Sequence, residues 1–446
     1  LSVISLVSYV LTKVAVTVYA GGLVFQQVFG IKELWGIDFF WIAAIGLVVL
    51  TAIYTIFGGM KSVLYTSVLQ TPILLLGSLI ILVLGFKELG GWDEMMRVCG
   101  AVTVNDYGDT MTNLIRSNDD ANFPWLGALI GSAIIGFWYW CTDQFIVQRV
   151  LSGKNEKEAR RGTIFGAYLK LLPVFLFLIP GMIAFALHQK YIGAGGEGFL
   201  PMLANGTANA DAAFPTLVAK LLPAGVKGLV VCGILAALMS SLASLFNSSA
   251  MLFTIDFYKR FRPETPEKKL VGIGQVATVV IVILGILWIP IMRSVGDVLY
   301  TYLQDVQSVL APGIAAAFLL GVCWKRTSAQ GGMWGLISGM VIGLTRLGAK
   351  VYYSNAGEVA DSTFKYLFYD MNWLFFCGWM FLFCMIVVIV VSLTTKAPTA
   401  EKIQGLVFGT ATKEQKAATR VSWDHWDIIH TVIILSITAA FYWYFW

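Results

Sequence analysis

The feature of the sequence that most constrains its fold is a series of apolar runs long enough to cross a lipid bilayer. A spanning helix needs about 20 mainly apolar residues, and segments such as 271–292 and 373–393 reach that length. Charged residues make up only 13% of the chain, well below the roughly 25% typical of soluble domains. The sequence therefore predicts an all-α polytopic membrane protein with about eleven spans.

The predicted spans alternate with loops whose charges indicate orientation. The spans are about 1–29, 39–57, 67–84, 126–148, 162–187, 228–257, 271–292, 298–324, 333–347, 373–393 and 428–446. Basic residues cluster in the loops after spans four, six, eight and ten, so these loops face the cytoplasm. The acidic loop 85–124 and the loop 188–226 then face outside, the latter with a glycosylation sequon at Asn205. A short basic turn at Lys61 should separate spans two and three.

The net charge of +5 belongs to these loops, so we expect a lipid bilayer and no nucleic acid as a partner. Six cysteines and three histidines show no metal-binding spacing, and most of the cysteines lie in or beside apolar runs. We interpret the cysteines as small core residues. Neither a catalytic triad nor a phosphate-binding loop is present in the sequence, so an enzyme is not expected.

Polar residues interrupt the fourth and fifth spans. The run Gly136-Phe137-Trp138-Tyr139-Trp140 leads into Cys141-Thr142-Asp143-Gln144, and Lys170 lies inside the fifth span. A lysine in hydrocarbon is costly and marks a polar pathway, and transporters use broken helices to place polar groups at membrane depth. An aromatic belt with a snorkelling lysine is the alternative. The fifth span should also kink at Pro173 and Pro180.

Hydroxyl groups mark one face of the sixth span. Ala237, Ser240, Ser241 and Ser244 recur three to four residues apart, so they share a helical face. Neutral oxygen ligands suit a hard cation such as Na⁺. Small residues also allow close helix packing in membranes, and the spacing does not separate the two interpretations.

The eighth span carries Gln304, Asp305 and Gln307 before a Pro-Gly break. Amides both donate and accept hydrogen bonds, which suits a polyol, while polar contacts between helices are the alternative. Tyr139 and Trp140 offer faces that could stack on a sugar ring. These residues together predict a Na⁺-coupled transporter of a neutral polar solute without naming the solute.

Three stretches resemble one family closely. They are the run from Trp138 to Arg149, the run Gly166-Ala167-Tyr168-Leu169-Lys170, and the run from Ala237 to Ser248; 318–326 also matches. The chain is similar to solute:sodium symporters of the sodium/glucose cotransporter branch over almost its whole length. The resemblance implies a leucine-transporter-like fold with two inverted five-helix repeats, alternating access, and a multi-pass location in the plasma, or cell inner, membrane.

The resemblance also implies roles for individual residues. The carbonyl of Ala237 and the hydroxyls of Ser240 and Ser241 match Na⁺ ligands. Lys170 and Gln304 match sugar ligands. Tyr139 matches an inner aromatic gate with Trp140 beside it, and Tyr300 matches an outer gate position.

By the same resemblance, 1–84 is the remainder of the first repeat, 126–324 is the second repeat, and 333–446 adds C-terminal helices to a single transporter domain. Leu1 begins inside an apolar run, and we expect core helices one and two to be missing from the chain. Gly136 stands where the family usually has Asn or Thr, so the solute can differ from glucose or galactose. Ser67 stands where sugar-transporting relatives usually have Asp, which predicts one Na⁺ per cycle.

Two rival functions stay open at this point, and a third is discounted. A transporter of the same fold could carry another neutral solute, such as an inositol or a nucleoside. A sensor or channel of the same fold would bind without coupled transport, although sensors usually append a soluble signalling domain and the longest cytoplasmic loop predicted here is about 394–427. A membrane enzyme lacks support because the spans hold no nucleophile–base pair.

Overall fold

The computed structural model describes residues 1–203, 206–295, 299–356 and 360–445. Most of the described chain is helical, and a short antiparallel hairpin is formed by Glu33–Leu34 and Ile37–Asp38. Trp35 and Gly36 both have positive φ at the tip of this hairpin, as tight two-residue turns between strands require. The sequon predicted at Asn205 begins outside the described residues.

The helices follow one another in chain order with few long connections. They are α1 Ser2–Ser8, α2 Ala15–Phe29, α3 Phe39–Leu89, α4 Trp92–Gly100, α5 Trp125–Phe137, α6 Gln144–Leu151, α7 Glu156–Pro173, α8 Ile179–Gly193, α9 Ala213–Leu221, α10 Ala224–Met251, α11 Lys259–Phe261, α12 Glu267–Val295, α13 Leu299–Cys323, α14 Ala329–Asn355, α15 Thr363–Lys365, α16 Trp373–Thr394, α17 Ala400–Ile403, α18 Lys413–Ser422 and α19 His425–Tyr444. Wider π-helical turns occupy Tyr9–Val14, Trp138–Thr142, Val174–Leu178, Leu252–Tyr258 and Tyr366–Asp370.

The chain divides into two compact units, each built from separate stretches. The first unit comprises Leu1–Ser8, Leu114–Tyr168 and Ile291–Trp446. The second comprises Tyr9–Asn113 and Leu169–Pro290. The division into inverted repeats that the resemblance implies stays a prediction.

The core of the first unit is formed by α13, which packs against α14, α16 and α5. Small residues allow the backbones to approach closely. A Cβ atom at Gly343 on α14 would collide with the carbonyl oxygen of Val309 on α13. Membrane helices associate through such small residues because lipid supplies no hydrophobic force to drive them together.

The core of the second unit is formed where α10 packs along α3. A Cβ atom at Gly77 on α3 would collide with the side chain of Val230 on α10. A buried apolar cluster continues from this contact into α4, α8 and α9. Its most deeply buried members include Ile81, Leu89, Met95, Ile183, Leu187, Leu217 and Val230.

Nine helices in the described ranges are long and apolar enough to cross a membrane. They correspond to nine of the eleven predicted spans, and the chain is a multi-pass integral membrane protein. The two exceptions are spans two and nine. The apolar stretch of span two is the shorter Phe39–Ile53, and span nine lies within α14, which is a helix but does not meet the same criteria.

The turn predicted at Lys61 is wrong. Helix α3 runs without interruption from Phe39 to Leu89, and the backbone at Lys61 is helical. The side chain of Asp38 caps its first turn by accepting a hydrogen bond from the backbone N–H of Phe40. Glycines at 58 and 59 cost roughly 1 kcal/mol each relative to alanine, which is too little to end a helix that packs against α10.

The fifth span departs from a regular α-helix between its two prolines but stays helical throughout, so the predicted kinks stay a prediction. Helix α7 ends at Pro173, a wide turn covers Val174–Leu178, and α8 begins at Ile179 with Pro180 in its first turn. Proline is compatible with a first helical turn because that position needs no hydrogen bond from its nitrogen. The chain therefore places its two prolines on either side of the widened segment.

The interpretation of all six cysteines as core residues is wrong for three of them. Cys99, Cys377 and Cys384 are buried, whereas Cys141, Cys232 and Cys323 are exposed. An apolar run is apolar on every face when the helix contacts lipid, so hydropathy alone does not distinguish the lipid-facing side from the core.

Candidate functional site

The polar break predicted after the aromatic run is present in the first unit. Helix α5 ends at Phe137, the turn Trp138–Thr142 is widened, and Asp143 adopts an extended conformation before α6 begins. Asp143 is buried, and its carboxylate accepts a hydrogen bond of 3.2 Å from the backbone N–H of Phe145. The carboxylate thus caps the N-terminus of α6 and satisfies one of its free donors.

Three aromatic rings surround the break. The Trp138 and Tyr139 ring centroids lie 6.2 Å apart, and those of Tyr139 and Trp140 lie 5.2 Å apart at an interplanar angle of 86°. Trp138 is buried, Tyr139 is half-buried and Trp140 is 51% exposed. Exposure therefore increases along the run, and Tyr139 and Trp140 keep ring surface that a ligand can contact.

Helix α13 packs against both α5 and the widened turn, so the first unit brings the two predicted solute-binding segments together. Gln304 is half-buried on α13, and Tyr300 lies one turn earlier with 55% of its side chain exposed. Gly136 lies at the end of α5, and a Cβ atom there would meet open space. The position of Gly136 therefore leaves room for a side chain or a ligand.

Lys170 belongs to the second unit, near the end of α7, where its side chain is exposed. It is the one predicted solute ligand that lies outside the first unit. Its proposed contact with a solute stays a prediction.

The predicted Na⁺ ligands lie on α10 in the second unit, on the stretch that packs against α3. Ser240 is buried, and Ala237 and Ser241 are half-buried. The hydroxyl oxygens of Ser240 and of Ser67 on α3 lie 2.5 Å apart and share a hydrogen bond. The structure thus connects two positions that the sequence could only treat separately.

Helix α10 is regular from Ala224 to Met251, so no break frees the carbonyl of Ala237. A helical carbonyl oxygen keeps a second lone pair beyond its helical hydrogen bond. The carbonyl of Ala237 and the hydroxyls of Ser240 and Ser241 therefore fit a hard monovalent cation by donor type, without adding a buried net charge.

An ionic cluster in the first unit was missed by the sequence analysis. Asp305 on α13 is buried and forms an ion pair with Lys350 on α14. Arg346, also on α14, is fully buried, and its Nη2 lies 3.7 Å from Oδ1 of Asp305. Asp305 therefore acts as a polar contact between helices, which was the alternative interpretation of the polar group on the eighth span.

Arg346 also stabilises the segment that leads into α16. Its guanidinium donates hydrogen bonds to the carbonyl oxygens of Leu367 at 3.2 Å and Met371 at 2.6 Å. It also stacks over the ring of Phe376 at 4.1 Å. A charged residue inside the apolar ninth span was the signal that could have revealed this cluster.

Known proteins resemble the chain along nearly all of its length. The human "Sodium/myo-inositol cotransporter 2" is 35% identical over 92% of this chain and 61% of that protein. The bovine sodium/mannose cotransporter is 34% identical over 100% of this chain and 77% of that protein. The sheep "Sodium/glucose cotransporter 1" is 36% identical over 89% of this chain and 61% of that protein. The chain thus spans about three fifths of the length of several of the relatives it matches.

A solved structure shares the fold. The substrate-bound, outward-open state of a Na⁺-coupled sialic acid symporter matches with a TM-score of 0.62 at 20% sequence identity, covering 89% of this chain and 75% of that one. The predicted fold class is confirmed by this match. The profile of a family of transporters, described as "Sodium:solute symporter family", matches residues 1–339. The chain belongs to the sodium:solute symporter family.

Proposed function

We propose that the protein couples the inward movement of Na⁺ to the uptake of a sugar or polyol by alternating access. The observation that carries the proposal is the broken helix at Asp143, which presents Tyr139 and Trp140 beside the helix that bears Gln304. Aromatic faces and an amide are the groups that bind a neutral polyhydroxyl compound. The names of the relatives, which include glucose, mannose and myo-inositol cotransporters, support the same class of solute.

In this proposal Na⁺ binds at Ala237, Ser240 and Ser241, and the solute binds at Gln304 and Lys170. Tyr139, with Trp140, and Tyr300 act as aromatic gates on the two sides of the solute. Binding of Na⁺ raises the affinity for the solute because each ligand favours the same conformation, and the coupling free energy is reciprocal. The protein acts in the plasma membrane, where a Na⁺ gradient is available.

The stoichiometry follows from Ser67. Its hydroxyl is neutral and is hydrogen-bonded to Ser240, so it offers no carboxylate to a second cation. We therefore expect one Na⁺ per cycle. A Hill coefficient clearly above one for Na⁺-dependent uptake would contradict this stoichiometry.

Gly136 favours a solute other than glucose. It contributes no hydrogen-bonding side chain, and open space lies where a side chain would stand. A solute with a different arrangement of hydroxyl groups, such as myo-inositol or mannose, is the second candidate.

The proposal is tested by uptake of labelled glucose, galactose, mannose and myo-inositol into proteoliposomes, with Na⁺ or K⁺ outside. Uptake that requires an inward Na⁺ gradient supports symport and identifies the solute. Specific binding of a solute without Na⁺-driven accumulation would instead indicate a sensor of the same fold.

A further inference from the structure

A groove in the first unit lies between the N-terminal part of α7 and the beginning of α19. It encloses about 340 Å³, at the small end of the range for ligand sites. Ile164, Ile428 and Val432 form its apolar wall, and Arg160, Trp423 and Asp427 lie at its polar end. None of the residues assigned to Na⁺ or solute binding lines it.

Side-chain contacts hold α7 at both ends of the groove, to the end of α18 and to α19. At the polar end, Nη2 of Arg160 donates a hydrogen bond of 3.1 Å to Oγ of Ser422. Deeper along the helices, the hydroxyl of Tyr168 lies 3.0 Å from Nδ1 of His430. The apolar wall between these two contacts stays open to the side.

The exposed apolar side chains of α19 predict that the open side of the groove faces lipid. On α19, Asp427 is buried, whereas Ile428 and Val432 are 53% and 55% exposed. Water finds no hydrogen-bond partners against such a wall, so in a bilayer an acyl chain fills it.

The polar end holds Arg160, which forms no ion pair with a carboxylate in the described part of the chain. Its neighbour Arg161 is paired with Asp424 at 3.3 Å. Asp427 lines the same end, but its carboxylate accepts a hydrogen bond of 3.1 Å from the backbone N–H of Asp424. It lies in the first turn of α19, where the helix dipole offsets its charge.

The surroundings of Arg160 are basic and interfacial. The segment 149–161 contains five basic and two acidic residues, and this excess indicates the cytoplasmic side. Trp423 is 42% exposed, and tryptophan is typical of the level of the lipid head groups. Basic pockets between helices on this side of a membrane bind anionic head groups.

We propose that this groove binds an anionic phospholipid, with its phosphate on Arg160 and one acyl chain along Ile164, Ile428 and Val432. Arginine suits this role because its planar guanidinium can donate two parallel hydrogen bonds to a phosphate. The site is separate from the proposed transport activity and does not depend on it.

The test is native mass spectrometry of the purified full-length protein with phosphatidylglycerol or phosphatidylcholine of the same acyl chains. We expect the wild type to prefer phosphatidylglycerol, and Arg160→Gln to reduce that preference about fivefold. The matched control is Lys157→Gln, which removes one charge from the first turn of the same helix without touching the groove and should bind as the wild type does.

A second variant tests the acyl-chain part of the site and leaves Arg160 with its hydrogen bond to Ser422. Ile428→Trp fills the groove, so it should weaken binding of both lipids, whereas Ile429→Trp, beside it but outside the groove, should not. Equal losses in Arg160→Gln and Lys157→Gln would overturn the proposal in favour of diffuse charge attraction. Displacement of the lipid by glycerol phosphate alone, at concentrations similar to those of the whole lipid, would overturn it in favour of a simple anion site.

Discussion

The hydroxyl oxygens of Ser67 and Ser240 lie 2.5 Å apart, which joins α3 to α10 at the face that carries the proposed Na⁺ ligands. Ser241 is the next residue on that face and is half-buried. Serine hydroxyls can serve both helix packing and cation binding, so mutation is needed to separate the two roles.

Ser241→Ala should weaken the Na⁺ dependence of uptake more than it changes solute selectivity. A polar contact to a charged group is worth about 1.5–3 kcal/mol, so we expect the half-saturating Na⁺ concentration to rise at least about tenfold. Uptake measured against Na⁺ concentration, at saturating solute, checks the effect. Ser248→Ala is the control, since Ser248 lies two turns further along α10 and hydrogen-bonds to the carbonyl oxygen of Ser244.

Gln304→Ala should have the opposite effect. Loss of the amide removes hydrogen bonds to the solute, so KM for the solute should rise about tenfold while the half-saturating Na⁺ concentration changes less. Competition uptake assays measure both values. If each of the two variants, Ser241→Ala and Gln304→Ala, changed KM for the solute and the half-saturating Na⁺ concentration equally, the result would argue against separate sites.

Gly136→Asn should change solute selectivity without destabilising the protein. The space beside Gly136 is open, so the new side chain has room and can offer an amide to the solute. We expect the ratio of glucose to myo-inositol uptake to rise, with an unchanged melting temperature. A ratio equal to that of the wild type would show that Gly136 does not contact the solute.

Asp305→Ala should destabilise the first unit strongly. The substitution leaves the fully buried Arg346 without its carboxylate partner, and such a loss costs about 3–5 kcal/mol. We expect the melting temperature of the variant in detergent to fall. Size-exclusion chromatography of heated samples measures this temperature. Asp361→Ala is the control, because the Asp361 side chain that pairs with Lys365 is 95% exposed and the pair should contribute little.

Cys99 should react slowly with thiol reagents at neutral pH. Burial raises the pKa of the Cys99 thiol to about 11, and only the thiolate reacts. Its labelling should therefore be about a hundredfold slower than that of an exposed thiol of ordinary pKa, with the difference closing as the pH rises. Maleimide labelling of single-cysteine variants measures this, with Asp119→Cys, in the loop that follows α4, as the exposed reference.

Much of the fold follows from local sequence. Nine predicted spans and the break near Asp143 are present because hydropathy and helix-breaking composition act within a few turns of the chain. The turn at Lys61 was predicted wrongly because glycines and a lysine weaken a helix only slightly, and packing of α3 on α10 outweighs them. The roles of individual site residues came from the family resemblance and stay predictions.

The sequence by itself determined that the chain is a helical membrane protein with polar groups inside its spans. Only the tertiary structure decided how those groups pair: Asp305 with Lys350 and Arg346, and Ser67 with Ser240. Apolar length is a property of each segment, so it can be found in the sequence alone. Pairing depends on which faces of distant helices meet, and close contact between small residues sets those faces in three dimensions.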